Sequence, residues 1–508
     1  MTSIKQYTQS ILNIFCQLTT IPHGSYNTQE MAAFLKSFAK SHNYKVKVDS
    51  LGNMLFAKEN ANPKVCFQCH YDMVCVGVAA QNLALKLMQT RRRRNNKYQT
   101  WLKAQDSSLG ADNGMGMAIM MFFMQQGVSA EFLFTNNEEV GMIGAKGLAI
   151  PIQSKLLINL DSEVLGEITI SCAGGFDLNY QSEFETIQIP PNYHYYILQS
   201  RNFAGGHSGL DINNPAPNYQ NAILESAKFL QNALNKYDKK IPLYIINWKG
   251  GEKRNSIPMN SKLIVASEQK LNIETNEFFT FEELKEQQNE LLDKTNEVFL
   301  QTPSGIDFEI LHNHLLDLQI GVLDMSGRLV QNSRSLSHIS FANGNLELAF
   351  MGRANTNQFL ESNLADLKKL LSIPQPCQNE DSIQIKVREY YPPWEKQDKS
   401  ISSSFCSKRT QKPQSPDEPY TLKGILRSMC LSMKTYIKPL AIKPKIVELH
   451  AGLECGILLQ RFEAMGLSDI IALSIGPSIN APHSINEEVW IESAGIVVAI
   501  LQDFMEKL

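Results

Sequence analysis

Cysteine is sparse and without regular spacing, nine residues in 508, which excludes the disulfide framework on which small secreted domains depend. Neither sign of charge dominates. The 48 basic and 51 acidic residues leave a formal −3, too little to call for a nucleic-acid or anionic-membrane partner. Nowhere do about eighteen apolar residues follow one another, so no membrane-spanning helix is expected. The first ten residues, Met-Thr-Ser-Ile-Lys-Gln-Tyr-Thr-Gln-Ser, lack the apolar core of a secretory signal. No internal repeat of fixed period occurs. These absences favour a cytoplasmic protein with reduced thiols and neither nucleic acid nor membrane as partner. What is there is a globular composition, 43% hydrophobic and 19% charged, in a chain long enough for two or more domains.

The pattern along the chain is α/β. Apolar residues at helical spacing run from Ile4 to Thr20 and stop before Ile21-Pro22, and a second helix opens at Thr28. Short β-like runs follow at Tyr44 to Val48, Asn53 to Ala57, Val65 to Gln68, Glu131 to Thr135 and Leu156 to Leu160, with a Met- and Phe-rich helix from about Gly114 to Gln126. Strands alternating with helices predict a sheet whose ligands gather at strand carboxyl ends. Residues 178–395 change character and read as an inserted α+β domain, with helices near Tyr219 to Tyr237 and Glu282 to Phe299. The flanking parts, 1–177 and 396–508, read as one interrupted domain. A polar loop at about 400–419 falls within the second part.

Acids and histidines stand just after several of the apolar runs: His70 and Asp72, Asp112 in Gly-Ala-Asp-Asn-Gly, Glu138-Glu139, Asp161, and His483 in Ala-Pro-His-Ser. In an extended segment His70 and Asp72 share a face, so Asp72 could accept the second ring N–H of His70 and fix its tautomer. Taken alone, the pair reads as a part-buried histidine beside a surface aspartate. Asp112 could cap a helix, or offer both oxygens to two cations; Gly110, Gly114 and Gly116 favour the second by allowing close backbone approach. Glu138-Glu139 sits at a strand end, where one carboxylate can bind a metal and the other can face the water it polarises. Asp161 and His483, alone, would be a turn aspartate and a surface imidazole. Jointly these residues supply one bridging carboxylate, two histidines and two terminal carboxylates, the ligand count of a two-metal hydrolase. The run Arg91 to Arg94, without a basic domain around it, reads as a solvated loop.

In their order along the chain these motifs resemble the dinuclear-zinc M20 metallopeptidases, within them most closely the aminoacyl-histidine (Xaa-His) dipeptidases. The collinear stretches include Gln68 to Val74, Leu109 to Met117, Glu138 to Ala145, Asp161-Ser162-Glu163, Gly205 to Gly209, Arg254 to Pro258, His450 to Gly456, and Ser474 to Pro477 through His483-Ser484. The resemblance implies a zinc-peptidase-like catalytic domain with an inserted α+β lid, and two divalent ions, zinc with manganese or cobalt as alternatives. His70 and Asp161 would hold one ion, Glu139 and His483 the other, with Asp112 bridging and Asp72 orienting His70. Glu138 would be the general base. His207 would stabilise the oxyanion, Asn255 and Arg353 would grip the substrate backbone and carboxylate, and Gly452 and Glu454 would line the pocket. Flexing near Gly174-Gly175 and Pro392-Pro393 would gate turnover. A small peptide substrate and a homodimer are further implications, and an aminoacylase or other amide hydrolase on the same scaffold is the rival reading. Val76 to Lys103 departs from the family pattern.

Overall fold

The computed structural model describes residues 3–81, 85–94, 97–284, 303–402, 405–407 and 421–508. They form two compact units: residues 1–172, 394–449 and 453–508 belong to the first, residues 173–393 and 450–452 to the second. The breaks thus fall at Cys172 and Trp394 rather than at 177 and 395, and Gly452 groups with the second unit.

The first unit is built on an eight-stranded sheet in the order Lys45–Val48, Met54–Ala57, Glu131–Thr135, Val65–His70, Leu156–Asn159, Ile471–Ser474, Glu167–Cys172, Lys445–Leu449. Its central strands, Glu131–Thr135, Val65–His70, Leu156–Asn159 and Ile471–Ser474, run parallel. Strands covered on both faces read as continuous apolar runs rather than alternating ones, and Val65–His70, Glu131–Thr135 and Leu156–Asn159 are buried throughout. The helix Ala111–Gln125 is buried from Asn113 to Met124. Being apolar on every side, it can only be a core helix, and its Phe122 and Phe123 share the core with Ile11, Phe15, Phe67 and Ile500.

Val76 to Lys103, the segment foreign to the family pattern, contains a β-hairpin, Leu87–Arg94 with Lys97–Ala104, whose second strand pairs with Glu488–Trp490. Arg92 is therefore no free loop charge. Its guanidinium forks onto Glu488 at 2.5 and 2.6 Å and lies over the Trp101 ring.

The second unit carries an antiparallel sheet in the order Phe279–Glu283, His194–Ser200, Ser261–Ser267, Tyr244–Gly250, Leu329–Ala342, Asn345–Ala354, Gly174–Phe184, Gln378–Tyr391. Helices Ala222–Leu234, Phe308–Asp317 and Asn357–Leu371 share its core through Ile223, Leu311, Leu360 and Leu367. All three helices start on side-chain caps, Asn221 accepting from the amides of Ile223 and Leu224, Asp307 from Glu309 and Thr356 from Phe359. The helices Phe308–Asp317 and Asn357–Leu371 were not anticipated. The helix expected from Glu282 to Phe299 lies outside the described residues beyond Leu284, and Glu282 and Glu283 end a strand. Most of the polar loop at 400–419 also lies outside them; within it Cys406 is disulfide-bonded to Cys430, so the thiols are not all free as expected. No described helix is long and apolar enough to cross a membrane.

Candidate metal centre

Parallel strands converge their carboxyl ends, and there the acids and histidines meet. His70 closes Val65–His70, Glu138 and Glu139 follow Glu131–Thr135, and Asp161 follows Leu156–Asn159. Asp112 enters at the start of the buried helix, next to a cis peptide bond to Asn113. His483 comes from a loop in which its own backbone is left-handed, φ 60°, a conformation that costs a non-glycine residue roughly 1–3 kcal/mol.

His70 Nε2 lies 3.1 Å from Asp112 Oδ1 and 3.3 Å from Asp161 Oδ1. His483 Nε2 lies 3.0 Å from the other Asp112 oxygen and 2.9 Å from Glu139 Oε1. Two triads result, His70–Asp112–Asp161 and Asp112–Glu139–His483, each with its ligand atoms within 4.8 Å of one another. A third group, His70–Glu138–Glu139, meets the same limit. Asp112 is common to the first two and offers one oxygen to each.

The donor set fits divalent cations. Imidazole and carboxylate suit zinc, manganese and cobalt alike. Glu139 Oε1 is buried and, although close to His483, makes no hydrogen bond of good geometry, as expected of an oxygen whose lone pair faces a cation site. The electrostatics agree. Burial and the adjoining Asp112 charge push the Glu139 carboxyl up to about 7. Glu138 is raised well above the usual carboxylate range by burial and by Glu139, and Asp161 is raised by burial. At Asp112 burial is overcome by hydrogen bonds from His483 and His70, which hold it below the usual range. Burial would lower both imidazoles, but the surrounding acids win: His70 is raised well above its ordinary value, and His483 up to about 12.

The supporting residues differ from expectation in one respect. His70 Nδ1 donates to the backbone carbonyl of Asp72 at 2.9 Å, while the Asp72 carboxylate stands 3.6 Å away. That carboxylate instead accepts from Ser25 Oγ and from the amides of Glu138 and Glu139, at 2.7, 2.9 and 3.3 Å. Asp72 therefore fixes the tautomer of His70 through its main chain and the Glu138-Glu139 turn through its side chain. Asn113, unforeseen although it adjoins Asp112, donates to Asp161 Oδ1 at 2.5 Å.

Glu454 is fully buried and not a wall residue. One oxygen accepts from Gln68 and Thr135, both at 2.6 Å, and the other has no hydrogen-bond partner among the described residues. Burial lifts its carboxyl to about 7.

In the second unit, His207 Nδ1 accepts from the amides of Gly209 and Leu210, and Nε2 faces Arg353, whose guanidinium can only donate. Arg353 is buried beside it, with Nη2 3.2 Å from His207 Nε2, and donates to Ser208 and the Tyr391 hydroxyl. Among the described residues it has no carboxylate partner. Asn255 is exposed, and its carbonyl accepts from Ser208. Gly452 follows His450, which is hydrogen-bonded to Ser333 and Asn355. A cavity of about 740 Å³ elsewhere in the first unit, walled by Trp101, Tyr436 and Trp490, includes none of the proposed ligands.

No family model matches the chain. The cytosol non-specific dipeptidase of Escherichia coli (strain K12) is 28% identical over 529 residues, an alignment that covers 98% of each chain. Among solved structures, aminoacylhistidine dipeptidase from Vibrio alginolyticus aligns over 97% of this chain and 96% of its own, with a TM-score of 0.62 and 23% identity, so the fold is shared. Both alignments cover nearly all of this chain, so its similarity to these dipeptidases extends well beyond the motifs.

Proposed function

We propose that this protein is a metal-dependent dipeptidase that cleaves peptides of the Xaa-His type and others with free termini, using two divalent cations. The observation that carries the reading is the split of Asp112, one oxygen toward His70 and Asp161 and the other toward Glu139 and His483. The E. coli relative, by its name a non-specific dipeptidase, supports the substrate class. Bound cations supply positive charge that polarises the scissile carbonyl and makes a water more acidic.

The chain's own groups do the rest. Glu138 has no hydrogen-bond partner for its carboxylate among the described residues, and its raised proton affinity suits a base working near neutral pH. It takes the proton of the attacking water and hands it to the amide nitrogen as the carbon–nitrogen bond breaks, which releases two amino acids. We assign His207 to the developing oxyanion, and Arg353, buried without a carboxylate partner among the described residues, to the C-terminal carboxylate of the substrate. Asn255 and Gly452 are assigned to the peptide backbone.

The test is metal analysis combined with a panel of dipeptides and N-acetyl amino acids, before and after chelation. Two cations per chain and dipeptide cleavage that chelation abolishes and added cation restores are expected. Activity confined to N-acetyl amino acids would sink the dipeptidase reading in favour of the aminoacylase.

A further inference from the structure

Glu487 lies four residues beyond His483 and is buried, 2% exposed. It touches none of the proposed ligand atoms. Its carboxylate instead accepts four consecutive backbone amides: Leu109 and Gly110 on Oε2 at 2.7 and 3.0 Å, Ala111 and Asp112 on Oε1 at 2.7 and 3.2 Å. Successive amides point at one anion only where the chain curls into a concavity, with a residue in the left-handed region. Gly110 supplies it, at φ 70°, and a side chain there would strike Met73 Sδ at 2.7 Å. The backbone at Asp112 and Asn113 is not helical, so these four amides belong to the turn that precedes the buried helix and not to the helix itself.

We infer that Glu487 is a positioning residue, which locks the loop carrying His483 to the turn carrying Asp112 and so sets the bridging carboxylate before any cation arrives. The inference rests on the reading of Asp112 as the shared ligand. His483 Nε2 and Asp112 Oδ2 are 3.0 Å apart although 371 positions separate the two residues in sequence. Glu487 ties the same two segments a second time, through the backbone of Asp112 itself. The next residue is held as well: Glu488 begins the strand paired with the hairpin Leu87–Ala104 and takes the fork of Arg92. Glu487 is thereby anchored from behind, and a carboxylate bound to four amides has no freedom left to follow a wandering loop.

Glu487→Gln keeps the shape but turns one arm into a donor facing amide donors. Glu487→Asp keeps the charge and shortens the reach by one methylene. The measurement is the number and affinity of bound Co²⁺ and Zn²⁺, by competition with a chelator, on full-length wild-type and variant proteins. Wild type should bind two ions. The glutamine variant should bind the weaker one about 10–100-fold less tightly, the usual loss when a group supporting a ligand is changed, and the aspartate variant should fall between. Steady-state activity should recover in part at high cation concentration. A glutamine variant that binds both ions like wild type overturns the inference and leaves the metal-site reading standing. A wild-type protein that binds no cation removes both.

If neither variant folds, hydrogen exchange on the wild type decides. Protection of the Leu109 to Asp112 amides, equal with and without cation, supports a preset clamp. Protection that appears only once cation is added overturns it.

Discussion

The same side chain has opposite proton affinities in the two units. In the first, His70 and His483 stand among carboxylates and their affinity is driven up, His483 to about 12. In the second, His450 is pushed down to about 3 by burial and by Arg353, and His314 to about 4 by burial. Imidazole chemistry is constant, so the difference measures the surroundings. One unit presents a cluster of acids that needs positive charge. The other presents a buried guanidinium, Arg353, that has no carboxylate partner among the described residues and lies beside His207. The two kinds of surroundings lie in separate units.

The most severe way to test the acidic side is Glu138→Gln. It removes a base while keeping volume, and general-base catalysis contributes about 10²–10⁴-fold. A fall of that size in kcat, with both cations retained, is expected from steady-state kinetics and metal analysis of one preparation. Loss of a cation together with activity would reassign Glu138 as a ligand, as its grouping with His70 and Glu139 allows. Full activity would remove it from the chemistry.

On the basic side, Arg353→Ala should leave the cations in place and raise KM. Charge-assisted hydrogen bonds are each worth roughly 1.5–3 kcal/mol, about 10–100-fold in affinity. The loss should be seen with free dipeptides and be much smaller with dipeptide amides, which lack the carboxylate. Arg353→Lys should rescue poorly, since a point charge cannot reproduce the fork that reaches Ser208 and Tyr391 together. Equal losses on both substrate types would separate Arg353 from carboxylate recognition.

How much of this was legible in the sequence depends on the range of the interactions involved. The central strands were, because burial on both faces writes itself as an uninterrupted apolar run, and residues such as Glu139 and Asp161 then stand out at its end. The helix Asn357–Leu371 was missed, although its Thr356 cap and the spacing of Leu360, Leu367 and Leu371 are local signals. Other features leave no local trace. Arg92 looks like a solvated charge until its partner Glu488, 396 positions away, is beside it. Asp72 lies two residues past the strand Val65–His70, yet its carboxylate serves the Glu138 turn, and nothing near Asp72 in sequence says so. Glu454 adjoins glycine-rich sequence that suggests an open wall, whereas Gln68 and Thr135, polar residues on otherwise apolar strands, hold it underneath.

A smaller effect is expected from acid. His314 is 1% exposed and its Nε2 has no hydrogen-bond partner among the described residues. Its folded pKa of about 4 lies below the unfolded value near 6.5. Between those two pH values the unfolded chain holds a proton that the folded chain does not. Stability is therefore complete above about pH 6.5 and declines as pH falls toward 4, by about 3 kcal/mol at most. His450 adds to the same decline. Urea unfolding of wild type and His314→Phe at pH 7 and pH 4.5 should show a smaller loss in the variant. An equal loss in both would mean that His314 is not held neutral.

The smallest effect tests whether the second unit can be weakened without touching the acidic cluster. Asn221 accepts from the amides of Ile223 and Leu224 and donates Nδ2–H to the Leu336 carbonyl at 2.7 Å. It therefore caps the helix Ala222–Leu234 and ties it to a sheet strand at once. Asn221→Asp keeps the cap and loses the donor, while Asn221→Ala loses both. A cap is worth about 1 kcal/mol and a buried carbonyl left without its partner about 1–3 kcal/mol. Alanine should therefore destabilise more than aspartate in urea unfolding. Neither should change the number of cations bound, because every proposed ligand belongs to the first unit. A cation lost on Asn221→Ala would show that the acidic cluster depends on the second unit's packing, and the two surroundings would then have to be treated as one.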